Sequence, residues 1–214
     1  MILIKKKSAP HSLIEYKRSI NASFDNLPKN VKDDLRTSLL KEQGYLCAYC
    51  MKKLSDNSSE VKIEHYIARN EENELDYNNL LAVCKGNEGE PFEKQTCDTR
   101  KGNSLLTINP QKEKDISTIS YTSNGEIKST NPCYQNELDN ILNLNDTLGL
   151  VELRKNTLNS LKKHLYKKHK NTSLTRESLE KIYKKLLSED IKESYVGIKL
   201  YYLMKKINKA QKRR

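Results

Sequence analysis

Residues 47–103 decide the fold of this chain; they begin with Cys47-Ala48-Tyr49-Cys50 and end with Cys97-Asp98-Thr99-Arg100-Lys101-Gly102-Asn103. Four of the five cysteines lie in this stretch, and Cys84 is the one between its two ends. Four thiolates fill a tetrahedral zinc shell, and the bound ion then cross-links loops that bury little apolar surface. One acid–histidine pair, Glu64-His65, stands between the cysteines. The stretch therefore predicts a zinc-braced segment that carries an active site.

Two other interpretations of the cysteines fit the sequence less well. A redox-active pair of Cys47 and Cys50 needs a thioredoxin-like βαβ context, which is absent here, and it leaves Cys84 and Cys97 unexplained. Four buried free thiols would have no need of paired spacing. The fifth cysteine, Cys133, is predicted to be a small hydrophobe or a free thiol.

The composition indicates a small protein with a modest core and a polyanionic partner. The chain has 214 residues, enough for one or two domains, and it has no Trp and only two Phe. Its formal net charge of +11 favours nucleic acid as a partner, although basicity alone is weak evidence. Residues 55–99 hold eleven acids and four Lys or Arg, whereas residues 152–214 hold six acids and nineteen Lys or Arg. If the cysteine segment is catalytic, the C-terminal part is predicted to grip the phosphate backbone.

The sequence shows no targeting signal and no membrane segment. The apolar residues 1–4 precede three lysines at 5–7, which reverses the order found in a secretory signal. No apolar run approaches the length of a membrane span. Because an odd cysteine count with a Cys-x-x-Cys pair indicates metal binding in a reducing compartment, we expect a cytoplasmic protein.

Periodicity and turn residues predict the elements around the site. Apolar positions at helical spacing predict a helix between Pro28 and Gly44, after an irregular or extended segment over residues 1–27. Alternating and continuous apolar runs predict strands over 61–66 and 80–83, with a short helix after Cys97. The later elements are predicted to be a hairpin that turns at Asn124-Gly125, with strands over 116–121 and 126–128, then helices from Asn136, Leu150 and Thr175, and a further apolar face over 191–202.

The order of these residues resembles the HNH, or ββα-metal, nuclease family. That family has a Cys-x-x-Cys pair, a strand that ends in Asp-His, Asn-Leu before a second cysteine pair, then Asn or His and a Lys. The matching residues are Cys47 and Cys50, Glu64-His65, Asn79-Leu80, Cys84 and Cys97, Asp98, and Lys101. Three departures are visible: Glu64 replaces Asp, Asp98 replaces Asn or His, and twelve residues instead of two separate the last cysteines. Both substituted acids are hard oxygen ligands, so metal-binding capacity is kept.

The chemistry of phosphodiester cleavage assigns expected roles to the residues of this pattern. His65 titrates near neutrality and is predicted to be the general base, since a lone structural histidine would not need the neighbouring Glu64. Glu64 and Asp98 are predicted to hold one catalytic divalent ion, Mg²⁺ or a similar hard ion. Asp98 has a second possible role as the cap of the helix after Cys97, and Asn103 is the reserve ligand.

Two further roles rest on the family resemblance alone. It implies that Asn79 orients the loop and the imidazole of His65. It also implies that Lys101 contacts a phosphate of the substrate.

Longer motifs narrow the resemblance. They are Gln43-Gly-Tyr-Leu-Cys-Ala-Tyr-Cys50, Ile63-Glu-His65, Asn78-Asn-Leu-Leu-Ala-Val-Cys84, Cys97-Asp-x-x-Lys-Gly-Asn103 and Leu142-Asn-Leu-Asn145. Together they are similar, over most of residues 28–155, to the PtuB-type HNH subunits of Septu-type and retron-associated bacterial antiphage systems. The similarity implies an effector nuclease held by a partner ATPase, PtuA, and in retron systems also by a reverse transcriptase with its RNA–DNA hybrid. Composition and periodicity do not indicate these partners.

We therefore expect an α+β protein in three parts. Residues 1–43 form an N-terminal extension and helix, residues 44–130 a zinc-braced nuclease core with an accessory hairpin, and residues 131–214 a basic helical lobe for partner or nucleic-acid binding. The expected function is metal-dependent hydrolysis of nucleic acid, either DNA or RNA such as tRNA. The alternative is a non-catalytic zinc module that only binds nucleic acid or protein, and Glu64-His65 argues against it.

Overall fold

The computed structural model describes residues 1–146, 149–168 and 175–211, without the side chains of Lys168 and Gln211. The predicted basic lobe 131–214 thus contains positions outside the described residues, at 147–148, 169–174 and 212–214. The mixture of helices and short strands confirms the predicted α+β class. The helices are α1 (His11–Tyr16), α2 (Lys29–Glu42), α3 (Cys97–Lys101), α4 (Glu113–Ile116), α5 (Pro132–Asn136), α6 (Leu150–Lys168), α7 (Arg176–Ser188) and α8 (Val196–Gln211), and the strands are β1 (Val61–His65), β2 (Leu80–Cys84), β3 (Ile119–Tyr121) and β4 (Ile127–Ser129).

An antiparallel strand pair followed by a short helix lies at the centre of the molecule. In the register of β1 and β2, Glu64 stands opposite Leu81 and His65 opposite Leu80. Every residue of β2 is buried, because α2 packs on one side of it and α3 follows on the other. This burial on both faces explains why β2 is a continuous apolar run, whereas β1 alternates.

Helix α2 has the ends that the sequence predicts. Pro28 precedes its first turn, where the missing N–H of proline costs no hydrogen bond. Gly44 follows its last turn with a φ of 64°, a left-handed conformation that ends a helix at low cost for glycine. Leu35 and Leu39 on its inner face are completely buried. The first cysteine pair therefore follows directly after the end of a helix that is anchored in the core.

Helix α1 is absent from the sequence prediction, which has residues 1–27 irregular or extended. It has six residues, begins after Pro10 without a side-chain cap, and buries only Leu13. Such a short helix is marginal on its own, so its packing against α2 determines its formation.

The hairpin predicted around Asn124-Gly125 is present as β3 and β4, which pair antiparallel. Its first strand is shorter than predicted, because Glu113–Ile116 forms the helical turn α4. A Cβ on Gly125 would lie 2.1 Å from the carbonyl oxygen of Val151, so this turn needs glycine to approach α6.

The C-terminal part is helical, as predicted. Its first helix begins earlier than expected, at Pro132, and passes into a π-helical turn over Glu137–Ile141. The side chain of Thr175 caps α7 by accepting a hydrogen bond from the Ser178 N–H at 3.2 Å, which confirms the predicted cap.

The buried side chains form one continuous cluster from Met1 to Leu203. It includes the strands of the centre, the hairpin and the three long C-terminal helices, so the three predicted parts share a core and their boundaries remain predictions. Within the described ranges, no helix has the length and apolar content needed to cross a bilayer.

Candidate active site

Four cysteines from three separate elements meet at one point. Cys47 and Cys50 flank the turn after α2, Cys84 ends β2, and Cys97 begins α3. The sulfur–sulfur distances are 3.9 Å from Cys47 to Cys97, 3.8 Å from Cys50 to Cys84 and 3.7 Å from Cys84 to Cys97. A tetrahedron of sulfurs about 2.3 Å from a zinc ion has edges of roughly 3.8 Å. The four cysteines are therefore positioned to bind one metal ion, and the spacing of their sulfurs is consistent with zinc.

The long insertion between Cys84 and Cys97 does not disturb this cluster, because its ends are joined. The Thr96 N–H donates to the Gly86 carbonyl at 2.9 Å. Gly86 has a φ of 51°, and a Cβ there would lie 1.9 Å from the Thr96 oxygen, so only glycine fits this approach. The insertion thus leaves the cluster as a closed loop and returns to it at Cys97.

The charges of the four thiols also favour a bound cation. Burial raises the pKa of Cys47, but hydrogen bonds from the other three thiols lower it by more. The pKa values of Cys50 and Cys97 are raised, first by their hydrogen bonds with Cys47 and further by those with Cys84 and by burial. Without a cation, the buried cluster therefore favours a thiolate at Cys47 over thiolates at Cys50 and Cys97. A bound dication stabilises thiolates, so metal binding releases protons from such a cluster.

Glu64 lies beside the cysteine cluster in a buried network. Its carboxylate accepts an ion-pair contact from Lys101 Nζ at 2.7 Å and a hydrogen bond from the hydroxyl of Tyr49 at 3.2 Å. The Lys101 ammonium group also donates to the His65 carbonyl at 3.4 Å. Lys101 therefore joins α3 to the end of β1 at the acid–histidine pair.

Asp98 brings a second carboxyl group to Glu64. Burial, together with the hydrogen bond and negative charge of Asp98, raises the pKa of Glu64 to about 8 despite the neighbouring Lys101. Asp98 stands in the first turn of α3, whose N-cap is Thr96. Two carboxyl groups that approach within hydrogen-bonding distance form a hard-oxygen donor set that suits a divalent cation.

His65 is held by one ring nitrogen. Its Nε2 lies 2.9 Å from the backbone oxygen of Glu74, and the ring of Phe24 packs edge-on against it with ring centroids 4.5 Å apart. A carbonyl oxygen only accepts, so Nε2 carries the proton and Nδ1 is the basic nitrogen. Burial lowers the pKa of His65, which favours the neutral imidazole at neutral pH.

Asn79 holds the segment that follows His65. Its side-chain oxygen accepts from the Ile67 N–H at 2.8 Å, and its amide donates to the Ile67 carbonyl at 3.0 Å. The Asn79 backbone oxygen accepts from the Tyr66 N–H at 2.9 Å. Asn79 therefore fixes this loop, whereas none of its hydrogen bonds reaches the imidazole. Asn103 lies exposed in the turn after α3.

Comparison with protein families identifies the centre of this site. The model of the HNH endonuclease family matches residues 47–86. The chain contains an HNH domain. The match covers the first cysteine pair, both strands and Cys84, while Cys97, Asp98 and Lys101 follow it in the short helix.

A curated relative extends the similarity beyond the HNH domain. The chain is 25% identical to the Septu protein PtuB of Bacillus thuringiensis over 186 residues. The aligned region spans 85% of this chain but 64% of the relative, so it covers less than two thirds of that protein.

The sequence pattern does not reveal the roles of three residues in or next to the HNH domain. Tyr49 donates to Glu64, and Gln43 bonds both backbone groups of Ala82, at 2.7 and 2.8 Å. The Nζ of Lys62 lies 3.8 Å from Oδ2 of Asp98 and 2.8 Å from Oε1 of Glu88. The signal for Lys62 is strand alternation, because residues two apart on β1 share a face. Tyr49 and Gln43 give no such signal, since their partners lie on another element.

Proposed function

We propose that this protein is a metal-dependent endonuclease that hydrolyses phosphodiester bonds of nucleic acid. The observation that carries the proposal is the hydrogen-bonded pair of carboxyl groups, Glu64 and Asp98, with His65 directly after Glu64 in the chain at the end of β1. Glu64 lies on a strand of the HNH domain, Asp98 lies in the short helix that follows this domain, and the cysteine cluster joins the two elements.

Glu64 and Asp98 are the proposed ligands of the catalytic cation. When bound there, a divalent ion such as Mg²⁺ supplies positive charge to the phosphate and the leaving oxygen. The ammonium group of Lys101 balances the negative charge of the Glu64 carboxylate, and the hydroxyl of Tyr49 orients that carboxylate through a hydrogen bond. We assign the structural metal held by the four cysteines as zinc.

His65 is the proposed general base. The hydrogen bond from Nε2 to Glu74 fixes the tautomer, and Nδ1 then takes a proton from the attacking water. The lowered pKa keeps the imidazole available as a base at neutral pH. Asn79 maintains the loop that presents this ring.

The phosphate contact is better assigned to Lys62 than to Lys101. The side chain of Lys101 is 2% exposed and directed to Glu64, whereas that of Lys62 is 28% exposed beside Asp98. Lys62 is currently paired with Glu88, a half-exposed side chain that a phosphate can displace.

The similarity to a Septu PtuB supports an effector role in bacterial antiphage defence. We infer a PtuA-type ATPase as partner, a nucleic acid substrate that is DNA or tRNA, and a cytoplasmic location. The alternative is a retron system, in which a reverse transcriptase and its RNA–DNA hybrid are additional partners. The competing function is a zinc module that binds without cleaving. It is disfavoured because a binding module needs neither the buried Glu64 pair nor the oriented His65.

A cleavage assay tests the proposal. The full chain, alone and with a co-expressed PtuA-type ATPase, is incubated with plasmid, single-stranded DNA and total tRNA in Mg²⁺. We expect His65→Ala to lower cleavage by about 10²- to 10⁴-fold, because it removes the base, while the exposed His164→Ala leaves the rate unchanged. If His65→Ala cleaves at the wild-type rate, the nuclease proposal is wrong, and a zinc module that binds without cleaving becomes the proposed function.

A further inference from the structure

A groove of lysines and tyrosines lies between α6 and α8, outside the HNH domain. Two adjoining depressions, of about 250 Å³ and about 750 Å³, share Lys162, Tyr202, Lys206 and Lys209 among their lining residues. We name this surface the Lys–Tyr groove. Its residues are Lys162, Tyr166, Tyr201, Tyr202, Lys205, Lys206 and Lys209.

Helical spacing places these side chains in rows. On α8, Lys206 follows Tyr202 by four residues, and Lys209 follows Lys205 by four, so both rows face one direction. On α6, Tyr166 follows Lys162 by four residues in the same way. The two helices pack against each other, which brings these rows together as the walls of one groove.

The four lysines of the groove lack acidic partners. Among the described residues, none of Lys162, Lys205, Lys206 and Lys209 forms an ion pair, and no acid lines either depression. By contrast, Lys155 on α6 pairs with Glu152, and Lys199 on α8 pairs with Glu193. Close ammonium groups repel each other, so this concentration of charge is complementary to a polyanion.

The tyrosines indicate which polyanion. The side chain of Tyr166 is 73% exposed, and the ring of Tyr202 has Lys162 and Lys206 at 5.7 Å and 5.5 Å from its centroid. Aromatic faces interleaved with lysines bind unpaired bases and phosphates at the same time. An acidic protein segment would use the lysines but would have no need of stacking surfaces.

The groove is a separate contact from the active site. Gly197, near the start of α8, lies against Met51, which directly follows the first cysteine pair. Lys209 lies twelve residues further along the same helix. At 1.5 Å per residue this is about 18 Å along the helix axis. The groove therefore begins near Gly197, where Tyr121 and Ile198 line it, and extends away from the cysteine cluster to Lys209.

We propose that the Lys–Tyr groove binds single-stranded nucleic acid, with the lysines on the phosphates and Tyr202 and Tyr166 stacked on bases. The physiological meaning of this site rests on the proposed nuclease function, but binding in the groove does not require cleavage. It is therefore measured in full-length His65→Ala protein, and a nuclease that fails to cut is distinguished from a groove that fails to bind.

The test is fluorescence anisotropy with labelled oligo(dT) and oligo(U) over a range of salt concentrations. Replacing Lys162, Lys205, Lys206 and Lys209 by Gln should weaken binding. It should also reduce the slope of the logarithm of the binding constant against the logarithm of the salt concentration by roughly three units, about 0.7 for each lost phosphate contact. A matched control replaces four exposed lysines outside the groove, Lys5, Lys17, Lys41 and Lys114, by Gln. This control should keep a steeper slope than the groove variant.

Tyr202→Leu separates stacking from charge. It should weaken binding at least about fivefold with an unchanged salt slope. Because Tyr202 is half-buried, Tyr166→Ala serves as the second variant if Tyr202→Leu does not fold. Wild-type affinity and slope in the four-lysine groove variant would overturn the proposal. Poly-L-glutamate that competes equally well, with both tyrosine variants unaffected, would also overturn it and assign the groove to an acidic protein segment.

Discussion

At the scale of single residues, two lysines beside the acid pair differ in their availability. Lys101 is buried and contacts Glu64 at 2.7 Å, so it acts as a fixed counter-ion. Lys62 is partly exposed, lies 3.8 Å from Asp98 and is held by Glu88, which comes from the insertion between the last two cysteines. The exchange of one half-exposed ion pair for a substrate phosphate costs little, because such pairs contribute at most about 1 kcal/mol.

Exchanging each lysine for glutamine separates these two roles. We expect Lys62→Gln to lower single-turnover cleavage by about ten- to a hundredfold, because it removes a charge from the phosphate. Its thermal stability should stay at the wild-type level. Lys101→Gln should instead lower the free energy of unfolding by on the order of 3 kcal/mol, since it leaves a buried carboxylate without its partner.

Glu88→Gln is the matched control for Lys62. It frees the lysine without removing it, so cleavage should equal or exceed the wild-type rate. A loss of cleavage in Glu88→Gln as large as in Lys62→Gln would show that the ion pair, and not the lysine, supports the site.

The candidate catalytic residues were predictable because their types and order are local properties of the chain. Glu64, His65 and Asp98 stand next to strand and cysteine signals in the sequence. The partners of these residues were not predictable in the same way. Glu88 follows Lys62 by twenty-six positions, and only closure of the loop at Gly86 and Thr96 places it near Lys62.

At the scale of elements, the cysteine cluster joins three pieces that are far apart in the sequence. The turn after α2, the end of β2 and the start of α3 each contribute sulfur ligands. Helix α3 has five residues, which is too short to be stable alone. A metal bound by all three elements is therefore part of the folding free energy of this region.

Zinc analysis tests this dependence. Protein washed with EDTA should retain about one zinc ion per chain, because a closed four-thiolate site holds its metal tightly. Cys97→Ser should lose the metal and unfold the region around α3, as followed by elemental analysis and circular dichroism. Cys133→Ser, at an exposed cysteine outside the cluster, should keep both zinc and fold. A zinc-free protein with the wild-type spectrum would contradict a structural role for the metal.

Elements with strong local signals were predicted, and those formed by tertiary contacts were not. The strands β1 and β2, the helix α2 and the hairpin have periodicity or turn residues that act within a few positions. The short helix α1 and the π-helical turn at Glu137–Ile141 lack such signals. The side chain of Glu137 accepts from the N–H groups of Thr107 and Ile108, about thirty residues away, and a contact of this kind cannot be inferred from neighbouring residues.

At the scale of the whole molecule, backbone hydrogen bonds attach the C-terminal helical part directly to the region of the first cysteine pair. The Tyr195 N–H donates to the Met51 carbonyl at 2.8 Å, and the Lys192 N–H donates to the Gly44 carbonyl at 3.0 Å. Both contacts join the segment before α8 to residues 44–51, which contain the first cysteine pair. The helices that form the Lys–Tyr groove therefore share one core with the HNH domain.

Arg154 connects helix α6 to the hairpin, so replacing it tests whether the helical part and the rest of the molecule unfold together. It is 1% exposed, and its guanidinium group donates to the carbonyl of Gly125 at 2.6 Å and to that of Leu144 at 2.6 Å. Arg154→Met keeps the volume of the side chain but leaves two buried carbonyls unpaired. We expect a loss of about 2–4 kcal/mol in the free energy of unfolding. Lys155→Met, at the neighbouring half-exposed residue, should change it by less than about 0.5 kcal/mol.

The shape of the unfolding transition decides whether residues 1–43, 44–130 and 131–214 are independent domains. With one core running through all three, calorimetry should show a single transition whose calorimetric and van't Hoff enthalpies agree. Arg154→Met should shift that whole transition to lower temperature, because the hairpin and helices unfold with the nuclease core. If the helical part were independent, Arg154→Met would instead produce a second, earlier transition while the zinc-bound part kept its wild-type midpoint.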